Sequence, residues 1–145
     1  MSVLLDTNIL LRRIEPAHHQ HRVTIDTLLR LNEADEAFYV VPQGIAEFWA
    51  AATRPPAANG LGLPVAAAAA ELAVIEQLFT LQPDVPEIYA AWKHLVITHQ
   101  VVGKQVYDAR LAAACLVHGF DHILTFNAAD FGRYGVQVMN PAAGS

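Results

Sequence analysis

Val3-Leu4-Leu5-Asp6-Thr7-Asn8, at the start of the chain, is the stretch whose reading decides the fold. The apolar run from Val3 to Leu5 reads as a buried parallel strand. It stops at Asp6, and Ile9, Leu10, Leu11 and Ile14 follow with helical periodicity. A carboxylate at the carboxyl end of a strand, just before a helix, stands where open α/β sheets hold their ligands. Asp is also a common helix cap. Asp6 alone therefore does not separate a site from a cap; the acidic residues further along do.

Outward from this stretch the pattern alternates. A helix is predicted over residues 18–32, with Val23, Leu28, Leu29 and Leu31 as one buried stripe. Residues 37–41, rich in β-branched and aromatic side chains, predict a strand. Pro42 suits the first turn of the helix that follows over residues 43–54, and Pro55 ends it. After a Gly/Asn/Ala loop, the alanine-rich residues 65–79 favour helix. Leu81 and Gln82 form a short extended piece, and residues 87–99 another helix. An apolar helix opens at Val106 and ends at Gly119, a glycine C-cap. Residues 122–126 and 136–139 read as the last strands. Strands alternating with helices imply right-handed crossovers and a parallel α/β sheet covered on both faces. The expectation is a single domain over residues 1–145.

Composition narrows the function classes. Hydrophobic residues make up 54% of the chain and charged ones 16%, more apolar than a soluble surface needs. The surplus points to a buried partner face, such as a homodimer interface or a groove for another chain. It does not point to a membrane: the longest apolar stretch, residues 63–70, contains Pro64 and falls far short of a span. The amino terminus lacks the features of a secretory signal. Cys115, the lone cysteine, excludes an intramolecular disulfide framework and fits a reducing, cytoplasmic compartment. Set in an apolar helix, it reads as a small core residue. The net charge is −5, so any action on nucleic acid must draw on bound cations and a local basic patch.

Most of the fourteen acidic residues look like ordinary surface groups. Four do not. Asp6 ends a core strand, Glu47 sits in a largely apolar helix, Asp108 opens another, and Asp130 closely follows the strand ending at Thr125. Carboxylates in apolar segments need a compensating charge or stay protonated. Several of them with few cations nearby, and no clustered Cys or His, suit Mg²⁺ or Mn²⁺. Magnesium takes one or two carboxylates, keeps its waters, and is completed by substrate phosphate. Phosphodiester hydrolysis uses this arrangement: one ion lowers the pKa of a water, and a second, about 4 Å away, stabilises the leaving oxygen.

The opening Leu5-Asp6-Thr7-Asn8-Ile9-Leu10, Glu47 after a strand and Pro42, the helix start Tyr107-Asp108-Ala109-Arg110-Leu111, and the ending Leu124-Thr125-Phe126-Asn127-x-x-Asp130-Phe131 together resemble the PIN-domain ribonucleases. Among these the chain is similar to the VapC toxins of prokaryotic toxin–antitoxin pairs. The resemblance covers nearly the whole chain. It implies a three-layer α/β/α fold with a small central parallel sheet, Mg²⁺-dependent endoribonuclease activity on RNA, a homodimer, and inhibition by a cognate VapB-like antitoxin. By position, Asp6, Glu47 and Asp108 match the family's three central acidic residues, with Asp6 and Asp108 as metal ligands. The fourth acidic place falls on Asn127 or on Asp130; since residue 127 is Asn, the carboxylate is assigned to Asp130.

Around these, Thr7 and Asn8 either orient Asp6 through hydrogen bonds or act as plain helix caps. Thr125 either orients substrate or a metal-bound water or bonds the local backbone. Lys104, in a Gly-containing loop, and Arg12, after Asp6, are the candidate RNA contacts. Arg110, two positions after Asp108, points away from it on a helix and reads as structural or interfacial. His18, His19 and His21 lack a trustworthy ligand arrangement and read as a solvated helix start. Two other classes compete: a PIN-like fold that has lost catalysis and only binds a partner, and a phosphoaspartyl enzyme using Asp6 as nucleophile. The filled acidic positions weigh against the first. Asn8, where the haloacid-dehalogenase phosphatases carry a second aspartate, weighs against the other.

Overall fold

The computed structural model describes residues 1–143. Eleven regular elements are organised around β1 (Ser2–Leu5). On one side of β1 lie β2 (Ala37–Val40) and then β3 (Thr80–Leu81); on the other lie β4 (His122–Leu124) and β5 (Val138–Met139), every pairing parallel. Strand order thus reverses at β1 and β4, which makes the crevice beyond their carboxyl ends the natural ligand site of the sheet.

Alternation along β1 builds two cores. Val3 and Leu5 face one layer and Leu4 the other, all fully buried. The first layer holds α1 (Thr7–Arg12), α2 (His21–Glu33), α3 (Pro42–Thr53) and α4 (Val65–Leu78), which deliver Ile9, Leu31, Phe48 and Ile75 to the core. The second holds α5 (Glu87–Thr98) and α6 (Gln105–His118). Alanines 112, 113 and 114, all buried, give α6 a side thin enough for close packing. The Trp92 indole on α5 donates to the Val106 carbonyl at 2.9 Å, tying α5 to the first turn of α6. Gly119 ends α6 at φ 71°, a left-handed position that suits glycine. The architecture is the expected three-layer α/β/α with a small parallel sheet. Among the described residues no helix is long and apolar enough to cross a membrane.

Several expectations shift in detail. The helix expected from residue 18 starts at His21, because the Gln20 amide donates to His18 Nδ1 at 3.0 Å and the segment turns first. Its buried stripe is Thr24, Thr27 and Leu31, spaced three and four apart, with Val23 and Leu28 partly buried. Leu29 is 56% exposed, since two positions past Thr27 the helix has turned it to solvent. A buried threonine is tolerable here because the Thr24 hydroxyl donates back to the Gln20 carbonyl at 2.8 Å. The strand expected over 122–126 ends at Leu124. The Thr125 amide still donates to the Met139 carbonyl at 3.0 Å, and after it the chain leaves the ladder: the Phe126 amide donates to Asn8 Oδ1 and the Asn127 amide to Thr125 Oγ1. The last strand is likewise confined to Val138–Met139. Cys115 is buried as expected, its thiol pushed up to about 12 by burial.

Candidate active site

Asp6 is the centre of the crevice. Its backbone amide still donates to the Leu124 carbonyl at 3.1 Å, so its position is fixed by the ladder between β1 and β4. It caps α1 and also lines the crevice. Its Oδ1 accepts from the Thr7 amide at 2.7 Å, capping α1, while Oδ2 accepts from the Thr125 hydroxyl at 2.7 Å and from Asn8 Nδ2 at 3.3 Å. The residue is only 7% exposed. Burial pushes its carboxyl up to about 6; the Thr125 and Thr7 hydrogen bonds oppose the rise, and the charges of Glu47 and Asp130 add to it.

Thr125, fully buried, is a hub. Besides donating to Asp6 it accepts from Asn8 Nδ2 at 3.2 Å and from the Asn127 amide at 3.0 Å. The hydroxyl therefore points at Asp6, where the sequence reading offered substrate, a metal-bound water or the local backbone. Thr125→Val is expected to cost about 1–3 kcal/mol, because two part-buried donors and one buried carboxylate oxygen lose a partner. Urea denaturation reads this, and Thr125→Ser, which keeps the hydroxyl, should retain most of the stability.

Glu47 projects from α3 and is held at both oxygens. Oε2 accepts from the Thr7 hydroxyl at 2.9 Å, and Oε1 from Gln43 Nε2 at 3.1 Å. Thr7 thus serves two carboxylates, Asp6 through its amide and Glu47 through its hydroxyl. Asn8 bonds Asp6 through its side chain, one of the two readings the sequence left open. Asp108, in the first turn of α6, is half-buried, and among the described residues nothing hydrogen-bonds to its carboxylate. Burial lifts it to about 6, with Asp130, Asp6 and Glu47 adding like charge in that order. Asp130 lies in a short 3₁₀ turn, Ala128–Asp130, exposed at the rim yet within electrostatic reach of both aspartates. Asn127 precedes that turn, exposed.

Four carboxylates from four parts of the chain therefore share one field, and among the described residues none of them is ion-paired to Lys, Arg or His. No three His, Cys, Asp or Glu among the described residues form a ready-made ligand group. A hydrated Mg²⁺ takes one or two carboxylates and fills its octahedron with water. The donor set is oxygen only, and an uncompensated cluster of charge is what such an ion relieves. Five surface cavities of about 210 to 390 Å³ contain none of the four groups. Volume is the poorer guide here, because a hydrated ion needs charge and oxygen ligands, not a deep pocket.

The basic candidates separate. Lys104 is exposed immediately before α6, one turn ahead of Asp108 and on the same side. Arg12 is occupied: it pairs with Glu15 and donates to Gln20 Oε1 at 3.3 Å. His21 Nδ1 donates to the Arg12 carbonyl at 2.7 Å, and His18 stacks on His19, so this group stays structural. Arg110 does point away from Asp108, bonding Gln43 Oε1 at 3.1 Å and Asp84 at 3.2 Å. Gln43 is the residue the sequence reading passed over. Its position four before Glu47 on one helix was the available signal.

A family model for the PIN domain matches residues 3–136. The chain belongs to the PIN-domain family. Solved structures agree in fold. FitAcB from Neisseria gonorrhoeae is 20% identical, with a TM-score of 0.72 over 98% of this chain and 99% of that one. VapBC2 from Rickettsia felis, solved with a DNA fragment from its promoter, is 13% identical, with a TM-score of 0.73 over 97% and 98%. VapC20 from Mycobacterium tuberculosis, described as a sarcin–ricin loop cleaving toxin, is 18% identical, with a TM-score of 0.68 over 92% and 95%. No curated protein sequence matches significantly. In this PIN domain the carboxylate crevice lies at the strand-order reversal that the fold provides.

Proposed function

We propose that the protein is a metal-dependent endoribonuclease of the VapC type, the toxin of a toxin–antitoxin pair, acting in the cytoplasm as one PIN-like domain and as a homodimer. One observation carries the nuclease reading: Asp6 is buried in the field of three further carboxylates, and among the described residues none of the four is ion-paired to a protein cation. Membership of the PIN-domain family supports it. The structural neighbours include a toxin–antitoxin complex and a sarcin–ricin loop cleaving toxin, which supports an antitoxin partner and RNA as substrate.

In this reading Asp6 and Asp108 hold Mg²⁺, or Mn²⁺ in its place. The bound ion supplies a water of lowered pKa and offsets the charge of the phosphodiester. The chain's own residues do the rest. Asp6 and Asp108, each pushed up to about 6, are mostly ionised at pH 7 and ready to bind a cation. Thr125, Thr7 and Asn8 fix the two Asp6 oxygens, and Thr7 and Gln43 fix those of Glu47. Asp130 adds negative charge at the rim, and Asn127 places a neutral amide beside it. Lys104, exposed one turn from Asp108, is placed to grip a neighbouring phosphate.

The purified protein should cleave total RNA in Mg²⁺, stop in excess chelator, and resume when Mg²⁺ or Mn²⁺ is restored. Undiminished cleavage in chelator, or none under any ion, overturns the reading. The second of these results would favour a partner-binding module without catalysis.

A further inference from the structure

The candidate site is assembled from opposite sides of the sheet. Glu47 hangs from α3, whose Phe48, Ala51 and Ala52 belong to one core, and Asp108 from α6, whose Ala109, Leu111 and Ala112 belong to the other. No strand pairing sets the distance between these two helices. Among the described residues, one side chain joins them by hydrogen bonds. Gln43, in the first turn of α3, donates through Nε2 to the Tyr107 carbonyl at 2.8 Å and to Glu47 Oε1 at 3.1 Å. Its Oε1 accepts from Arg110 on α6 at 3.1 Å. Two acceptors on one side of the amide and a guanidinium on the other allow a single orientation of its oxygen and nitrogen. Arg110 is steadied in turn by Asp84 at 3.2 Å.

We infer that Gln43 is a positioning residue: it locks Glu47 and registers the α3 half of the site against the α6 half that carries Asp108. The inference rests on the metal-nuclease reading for its functional consequence, but the lock itself is geometric. With Thr7 holding Oε2, Gln43 completes the immobilisation of the Glu47 carboxylate. Partners that orient the ligands of a metal site are worth roughly 10- to 100-fold in affinity or rate. Gln43 touches neither of the two proposed ligands, so its effect must travel through Glu47 and the backbone at Tyr107, the residue before Asp108.

Gln43→Met keeps the length of the side chain and removes all three bonds. Three quantities are read on the full chain: Mn²⁺ affinity by electron paramagnetic resonance, steady-state RNA cleavage, and thermal stability. Mn²⁺ should bind about 10-fold more weakly and kcat should fall by about 10-fold or more, with KM for RNA little changed. The melting temperature should move by only about 2 °C, as for a partly exposed side chain. Equal Mn²⁺ affinity in the variant and the native protein overturns the positioning role while leaving the nuclease reading intact. Native protein that binds no Mn²⁺ removes the nuclease reading instead. The lock is then judged by the Gln43 side-chain amide protons in NMR: slowed exchange with solvent upholds it, and the rapid exchange of a free glutamine overturns it.

Discussion

Asp6→Asn is expected to lower the rate of RNA cleavage by about 100- to 1,000-fold while leaving the protein folded. The substitution keeps the side chain's volume and one oxygen able to accept from the Thr7 amide, so the cap on α1 survives. It removes the negative charge at the centre of the crevice. Electrostatic stabilisation by a bound cation contributes several kcal/mol to such a transition state, and about 1.4 kcal/mol is a factor of ten in rate. Weakening one of two proposed ligands should therefore cost two to three decades. The amide nitrogen would also face the Thr125 hydroxyl, whose two lone pairs are already taken, so one of the hydrogen bonds that hydroxyl accepts must be given up. A circular dichroism spectrum like that of the native protein separates lost chemistry from lost fold. A variant that cleaves at the native rate would place the chemistry elsewhere.

The second large effect is on stability, and its sign follows from the same carboxylates. In chelator, unfolding free energy should fall as pH rises from about 4 to above 6. Asp6 titrates near 3.8 in the unfolded chain and at about 6 in the folded protein, so the folded state holds the proton more tightly. A group raised in this way stabilises the fold below its unfolded value, and that contribution is lost as pH climbs through the folded value. For Asp6 the shift corresponds to about 3 kcal/mol. Asp108, half exposed, pulls in the same direction. Cation binding should reverse the loss: at pH 7, Mg²⁺ at about one hundred times its dissociation constant adds about 2.7 kcal/mol. In a chain of this size that raises the melting temperature by roughly 5–10 °C. Urea denaturation of the native protein and of Asp6→Asn, each with and without Mg²⁺, isolates the contribution of this one residue. Equal pH slopes in the two proteins, with no response to Mg²⁺, would contradict the account.

The elements of the fold were legible because their signals are local. The Val3–Leu5 run, Pro42 at a helix start and Gly119 at a helix end each act within a few residues. The acidic residues stood out for a related reason, since a carboxylate in an apolar segment is conspicuous in one dimension. What stayed hidden was pairing across the chain. That Thr7 would bond Glu47, forty residues on, depends on how α1 packs against α3. That Thr125 would aim its hydroxyl at Asp6 depends on β1 and β4 being neighbours, 119 residues apart. Gln43 escaped notice because two of its three partners, Tyr107 and Arg110, lie on another layer, and Leu29 misled because a leucine on a helix is apolar whichever way it faces. The assignment of Arg12 to RNA overlooked Glu15, three residues later, which takes up its charge.

Anomalous diffraction from crystals soaked in Mn²⁺ tests the central claim most directly. A strong peak in the crevice, within coordination distance of Asp6 and Asp108 and absent from Asp6→Asn crystals, is the result expected. An empty crevice at saturating Mn²⁺, in crystals whose dissolved protein still cleaves RNA, would show that these carboxylates do not gather to hold a metal ion.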